Sequence, residues 1–107
     1  CSNGEQVRDF LYISDFINLL IKAMNSSKVK NMIINAGSGK PVKVKKVINL
    51  INKIIKKGIP QFGKIALRND EPKNLYANIN LSRKVLNWKP LISLNNGIKK
   101  TIKYYKK

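Results

Sequence analysis

The chain has 107 residues, enough for one modest hydrophobic core, and its single cysteine, Cys1, excludes an internal disulfide framework. Hydrophobic residues make up 43% and charged residues 25%, ordinary for a globular protein, and no apolar run is long enough to cross a bilayer. The formal charge of +17 invites a nucleic-acid reading, yet 19 of the 22 basic residues are lysines. Only Arg8, Arg68 and Arg83 carry the planar fork that favours base edges and phosphates. Fifteen isoleucines and 14 asparagines beside those lysines fit an AT-rich coding bias, which loads surfaces with lysine whatever the function. Nothing resembles a cleavable secretory signal, and a lone thiol fits a reducing compartment, so the expected location is cytoplasmic. The chain opens on Cys1 and not Met, and we expect an excised or processed piece of a longer polypeptide.

Phe10 to Ile13 is a short apolar run suited to a strand. Ser14 or Asp15 then offers an N-cap oxygen to a helix carrying Phe16, Ile17, Leu20, Ile21 and Met24 at helical spacing, ended by Asn25-Ser26-Ser27. Met32 to Asn35 reads as a buried strand running into the loop Ala36–Pro41, whose two glycines suit positive φ and whose proline delays the next helix. Val44, Val47, Ile48, Ile51, Ile54 and Ile55 form one stripe of a strongly amphipathic helix, with Gly58 as its stop. Lys64 to Leu67 is a predicted strand, followed by the polar turn Arg68–Pro72. A short helix over Leu81–Leu86 has Asn80 as its cap and Asn87 as a left-handed end. Trp88-Lys89-Pro90 exits extended, with Trp88 expected as a core anchor against the last helix. Ser93 caps that helix, whose expected buried side is Leu94, Ile98, Ile102 and Tyr105. Strands alternating with about four helices predict an α/β class.

Much chemistry is absent. There is no histidine, zinc-site spacing is impossible with one cysteine, and the five acids (Glu5, Asp9, Asp15, Asp70, Glu71) form no paired-carboxylate pattern. Gly37-Ser38-Gly39-Lys40 lacks the full phosphate-loop spacing, because Pro41 follows the lysine, and it fails the dinucleotide fingerprint as well. Tyr12 and Tyr76 have no lysine four residues on.

Five strings remain: Arg8–Asp15, Ile34–Pro41, Leu67–Pro72, Tyr76–Asn80 and Leu86–Pro90, with Ser93–Ile98 close behind. In this order they resemble the C-terminal third of the extended short-chain dehydrogenases/reductases, the NAD-dependent epimerase/dehydratase family. That family reads R-D-[FY]-[IL]-[YH]-[VI]-x-D, N-x-G-[ST]-G, R-x-x-[DE], Y-A-D-x-[ST]-K, L-G-W-x-P and S-L-x-x-G. Here Asn78 replaces the usual acid, Asn80-Leu81 the Ser-Lys pair, and Asn87 the glycine before Trp88, while Asn96 stands where glutamate is frequent.

The resemblance implies that residues 1–107 form the substrate-binding portion of an extended Rossmann-type enzyme, plus the periphery of its sheet. The N-terminal cofactor-binding portion lies outside this chain. Arg8 and Arg68 would clamp the diphosphate of a nucleotide-activated sugar, and Glu71 would accept hydrogen bonds from its hydroxyls. NAD or NADP, the Gly-rich loop and the Tyr-x-x-x-Lys pair would belong to that other portion, and full-length members are often homodimers. Such a piece, catalytically silent alone, should expose apolar surface intended for its Rossmann partner.

Two other readings stay open. One is a free-standing lysine-rich module that binds nucleic acid or other anions through the Val44–Lys57 helix and the Lys99–Lys107 tail. The other is an inactive gene remnant.

Overall fold

The computed structural model describes residues 3–56, 58, 63 and 72–105. Strand β1 (Val7–Arg8) leads into helix α1 (Ile13–Met24). Strand β2 (Val42–Lys43) runs directly into α2 (Val44–Ile55), and α3 (Asn80–Leu86) and α4 (Leu94–Tyr105) follow. The predicted strand Lys64–Leu67 and the turn Arg68–Pro72, up to residue 71, lie outside the described residues.

β1 and β2 pair antiparallel, Val7 opposite Lys43 and Arg8 opposite Val42. On its other side Val7 forms a parallel bridge with Asn74, donating to Lys73 O at 2.7 Å and accepting from Leu75 N at 2.9 Å. The segment before Arg8 is therefore held between two stretches of chain, and Glu5 and Lys43 close the ribbon with a 2.8 Å ion pair.

Phe10 to Ile13 is not a strand. Its backbone turns into α1, with Tyr12 extended at the N-cap position and its carbonyl accepting from Asp15 and Phe16. Asp15 is buried (2% exposed), and its carboxylate turns away from the helix start to accept the amides of Leu91 (3.1 Å) and Ile92 (3.0 Å). The Asp15 carbonyl accepts the Trp88 indole N–H at 3.1 Å. Trp88 is a core anchor, but its partners are Leu19 of α1 and Ile79 and Leu86 around α3, with no α4 residue in that cluster.

Met32 to Asn35 is likewise not a strand in this chain: Ile33 is 89% exposed and only Ile34 packs on the core. Strands need a partner's backbone, and none of the assigned strands lies beside this run. The α2 helix forms as its stripe predicts, but its left-handed end is Lys56 (φ 61°), two residues ahead of Gly58. α3 ends on left-handed Asn87 (φ 51°) as expected. Ile79 stands at its N-cap, and just before it Asn78 Oδ1 accepts the Asn80 amide at 3.0 Å; Asn80 is itself the first helical residue. An amide oxygen accepts here as a carboxylate would, so the exchange of the family's acid for Asn78 leaves the turn intact. Ser93 Oγ accepts the Asn96 amide at 3.2 Å, capping α4. α4 packs on α2, with Gly97 buried beside Tyr12, but Tyr105 is 80% exposed and does not join the buried side.

The result is a thin slab, 48 × 38 × 17 Å. Its radius of gyration of 16.2 Å exceeds the value of about 13 Å for a compact domain of this length. Its accessible surface of 8221 Å² exceeds the roughly 6,100 Å² of a folded monomer of this mass. Large apolar side chains stand on this surface: Ile13, Phe16, Ile17, Leu20, Ile21 and Met24 of α1 are all exposed. No helix among the described residues is long and apolar enough to cross a membrane.

Asp15→Asn is expected to lower stability by about 1–3 kcal/mol, because its NH2, on a buried side chain, would face one of two part-buried backbone donors. A urea midpoint equal to that of the parent chain would contradict this assignment.

Candidate substrate-binding site

Asp9 follows β1 and points opposite to its neighbour's path, into the loop after Ala36. Its Oδ1 accepts the Ser38 amide at 2.7 Å, and its Oδ2 accepts the amides of Gly39 at 3.0 Å and Ala77 at 3.1 Å. Burial pushes this carboxyl up, but the donors of Ser38, Ala77 and Gly39 outweigh it and hold the pKa below its ordinary 3.8. Two glycines make the approach feasible, for different reasons. A Cβ on Gly37 would lie 2.6 Å from the Ala77 Cβ and 2.7 Å from Asp9 Oδ2, so Gly37 serves close packing and not positive φ. Gly39 is the one in this loop with left-handed geometry, φ +74°.

The clasp joins the walls of a cavity of about 580 Å³ lined by Arg8, Asp9, Asn35, Ala36 and residues 75–78. α3 fixes a further wall: buried Ser82 donates its hydroxyl to Asn35 O at 2.9 Å, and Asn35 Nδ2 donates to Asn78 O at 3.4 Å. Arg8 reaches this cavity from the sheet ribbon, with Nη1 donating to the Val7 carbonyl at 2.8 Å. Asp9 and Asp15, which follow it in the chain, each have both oxygens engaged by backbone amides.

Of the three site residues expected from sequence, the structure thus places Arg8 on a cavity, while Arg68 and Glu71 lie outside the described residues. Asp9 escaped notice as a structural centre because its donors are 29, 30 and 68 residues away. Its position beside Arg8 was the only local signal. Tyr12 packs on Gly97, and Trp88 is core. The amides of Ser38 and Gly39 already donate to Asp9, so this glycine loop does not fit a dinucleotide phosphate, and no step of cofactor chemistry is assigned to these residues.

A family model described as GDP-mannose 4,6 dehydratase matches residues 1–101. The chain is 32% identical over 106 residues to a UDP-glucuronate 4-epimerase of Thermodesulfobacterium geofontis, covering 97% of the chain and 32% of that protein. Among solved structures it resembles UDP-glucuronic acid 4-epimerase from Bacillus cereus in complex with UDP-glucuronic acid and NAD. That likeness has a TM-score of 0.84 and 30% identity, over 98% of this chain and 33% of the other. It also resembles UDP-glucose 4-epimerase with UDP-glucose from Thermotoga maritima, at a TM-score of 0.86 and 26% identity, over 97% and 33% of the two chains. The chain spans about a third of the length of these relatives.

Two measurements probe the clasp. Gly37→Ala should destabilise the chain and broaden the amide resonances of Ser38, Gly39 and Ala77, since the neighbours its methyl meets are a second Cβ and the anchored carboxylate. A depressed folded pKa stabilises above the unfolded pKa and loses that contribution as pH falls through the folded value. Acid unfolding of the parent chain should therefore steepen below about pH 4, and Asp9→Asn should flatten that slope; identical pH profiles would remove the assignment.

Proposed function

We propose, for a chain that belongs to the GDP-mannose 4,6-dehydratase family and with it to the NAD-dependent epimerase/dehydratases, that it forms the nucleotide-sugar-binding portion of a larger sugar-modifying enzyme. The observation that carries this reading is Arg8 on the wall of the Asp9-clasped cavity, in a chain that spans about a third of its relatives' length. Arg8 and Arg68 together would fork the diphosphate, and Glu71 would take ribose or sugar hydroxyls. Arg8 is suited to this because its backbone is fixed by pairing to Val42 and its side chain lines the cavity.

The exposed α1 face supports a second part of the reading. Six large apolar side chains on one helix, with Met32 and Ile33 exposed nearby in sequence, form a surface that water does not favour. A cofactor-binding portion, which the relatives' remaining two-thirds of length accommodates, would cover α1 and lend a strand to Met32–Asn35. NAD or NADP, the acid/base tyrosine and its lysine would reside there. The residues of this chain bind and orient the substrate and shed water from it; the hydride chemistry is not theirs.

The test uses the polypeptide purified from its source cells, detected by an antibody to residues 8–15. We expect a species much heavier than 12.2 kDa that binds UDP-glucuronic acid or UDP-glucose. Arg8→Gln should weaken that binding by about 10–100-fold, the worth of one charge-assisted fork, with NAD binding unchanged. An unaltered UDP-sugar affinity would remove Arg8 from the site, and a native species of 12.2 kDa would end the reading of a larger enzyme in one chain.

A further inference from the structure

A second cavity, about 510 Å³, shares no lining residue with the one at Arg8. It lies where the loop after Gly39, the first turn of α2, α3 and the stretch before α4 come together. Lys40, Lys46, Arg83 and Lys89 stand on its wall, one from each of these four segments. No acid lines it. Asp9, which holds the neighbouring Ser38 amide, has its oxygens engaged by Ser38, Gly39 and Ala77.

Coding bias explains many scattered lysines, but it does not gather four cations from positions 40 to 89 around one concavity, nor does it supply Arg83. Like charges facing a shared hollow repel one another, and the hollow focuses their field, so an anion placed between them gains from all four. The start of α4 adds to this: Leu94 and Asn95 lie on the wall, and the first turns of both α4 and α2 contain no acid to offset the positive ends of their dipoles. Apart from Ser38 and Ser93, the remainder of the lining is apolar, with Phe10, Ile79 and Leu91 among it. A volume of this size falls in the range of organic ligands, well above that of a lone phosphate ion.

We propose that this cavity binds a soluble organic phosphate with at least two phosphoryl charges, its anionic groups met by Lys40, Lys46, Arg83 and Lys89 and its organic body lying on the apolar wall. The site is separate from the Arg8 cavity and does not depend on the function assigned to it.

Inorganic pyrophosphate is the probe, titrated into the full 107-residue chain at about 0.15 M salt, where loose lysine attraction is screened. Amide chemical shifts provide the readout. Saturable shifts centred on Ser38, Lys40, Leu94 and Asn95 are expected. Lys46→Gln combined with Arg83→Gln should weaken binding at least about tenfold, through loss of two charge-assisted contacts, and Lys89→Glu should do the same. Lys28→Gln, at an exposed lysine that lines neither cavity, should leave it unchanged. All three cations are exposed, so the substitutions spare the fold, and an unchanged far-UV circular dichroism spectrum checks this. Shifts spread evenly over every lysine-bearing face, no saturation, or a double variant that binds like the parent would each overturn the proposal. So would a single-stranded oligonucleotide that displaces pyrophosphate from these amides at equal phosphate concentration, since the site would then be one for nucleic acid.

Discussion

Three backbone N–H groups from two distant stretches of chain converge on one carboxylate, that of Asp9. Most of the architecture follows from that convergence. It seats the Gly37–Gly39 loop against the strand-like segment at Ala77, brings both beside Arg8, and so creates the cavity on which the candidate site rests. A second carboxylate, Asp15, repeats the device in the first turn of α1, gathering Leu91, Ile92 and, through its carbonyl, Trp88. In a slab only 17 Å thick, polar closures of this kind hold together what a small apolar core would not. A carboxylate with several N–H partners is well suited to the task, because each charge-assisted bond is stronger than a neutral one.

The same thinness explains the unusual surface. A helix as apolar as α1 normally turns its stripe inward, yet only Leu19 and Asp15 of α1 are buried. Its other large apolar side chains look outward, as does Ile33 in the extended run that follows. The high positive charge opposes association of such faces between like molecules, and salt would weaken that opposition.

The helices were legible from sequence to differing degrees. The stripe from Val44 to Ile55, the cap at Ser93 and the left-handed end at Asn87 are local signals, and each appears where its residues predict. What failed depended on partners far along the chain. Phe10–Ile13 and Met32–Asn35 are apolar enough for strands, but a strand is defined by a neighbour, and the pairing went instead to Val7–Arg8 with Val42–Lys43. Asp15 looked like a helix cap because capping is the local use of an acid at that position; its actual donors are 76 and 77 residues away. Of the candidate site, Arg8 could be singled out by its motif, whereas the clasp that builds its cavity has no signature at any fixed spacing.

Those long separations bear on how the protein is made. Asp9 and Asp15 leave the ribosome well before the amides that complete their bonds, those of Ala77, Leu91 and Ile92, which come 68 to 77 residues later. At about 5–20 residues per second, that gap lasts on the order of 4–15 s. Throughout it the α1 helix carries an acid destined for burial but not yet neutralised by hydrogen bonds, so α1 cannot settle into its final seat. Closure of the fold is thereby tied to arrival of the stretch around Trp88–Ile92, and a nascent chain stopped short of it would leave the Asp15 carboxylate without the amides of Leu91 and Ile92.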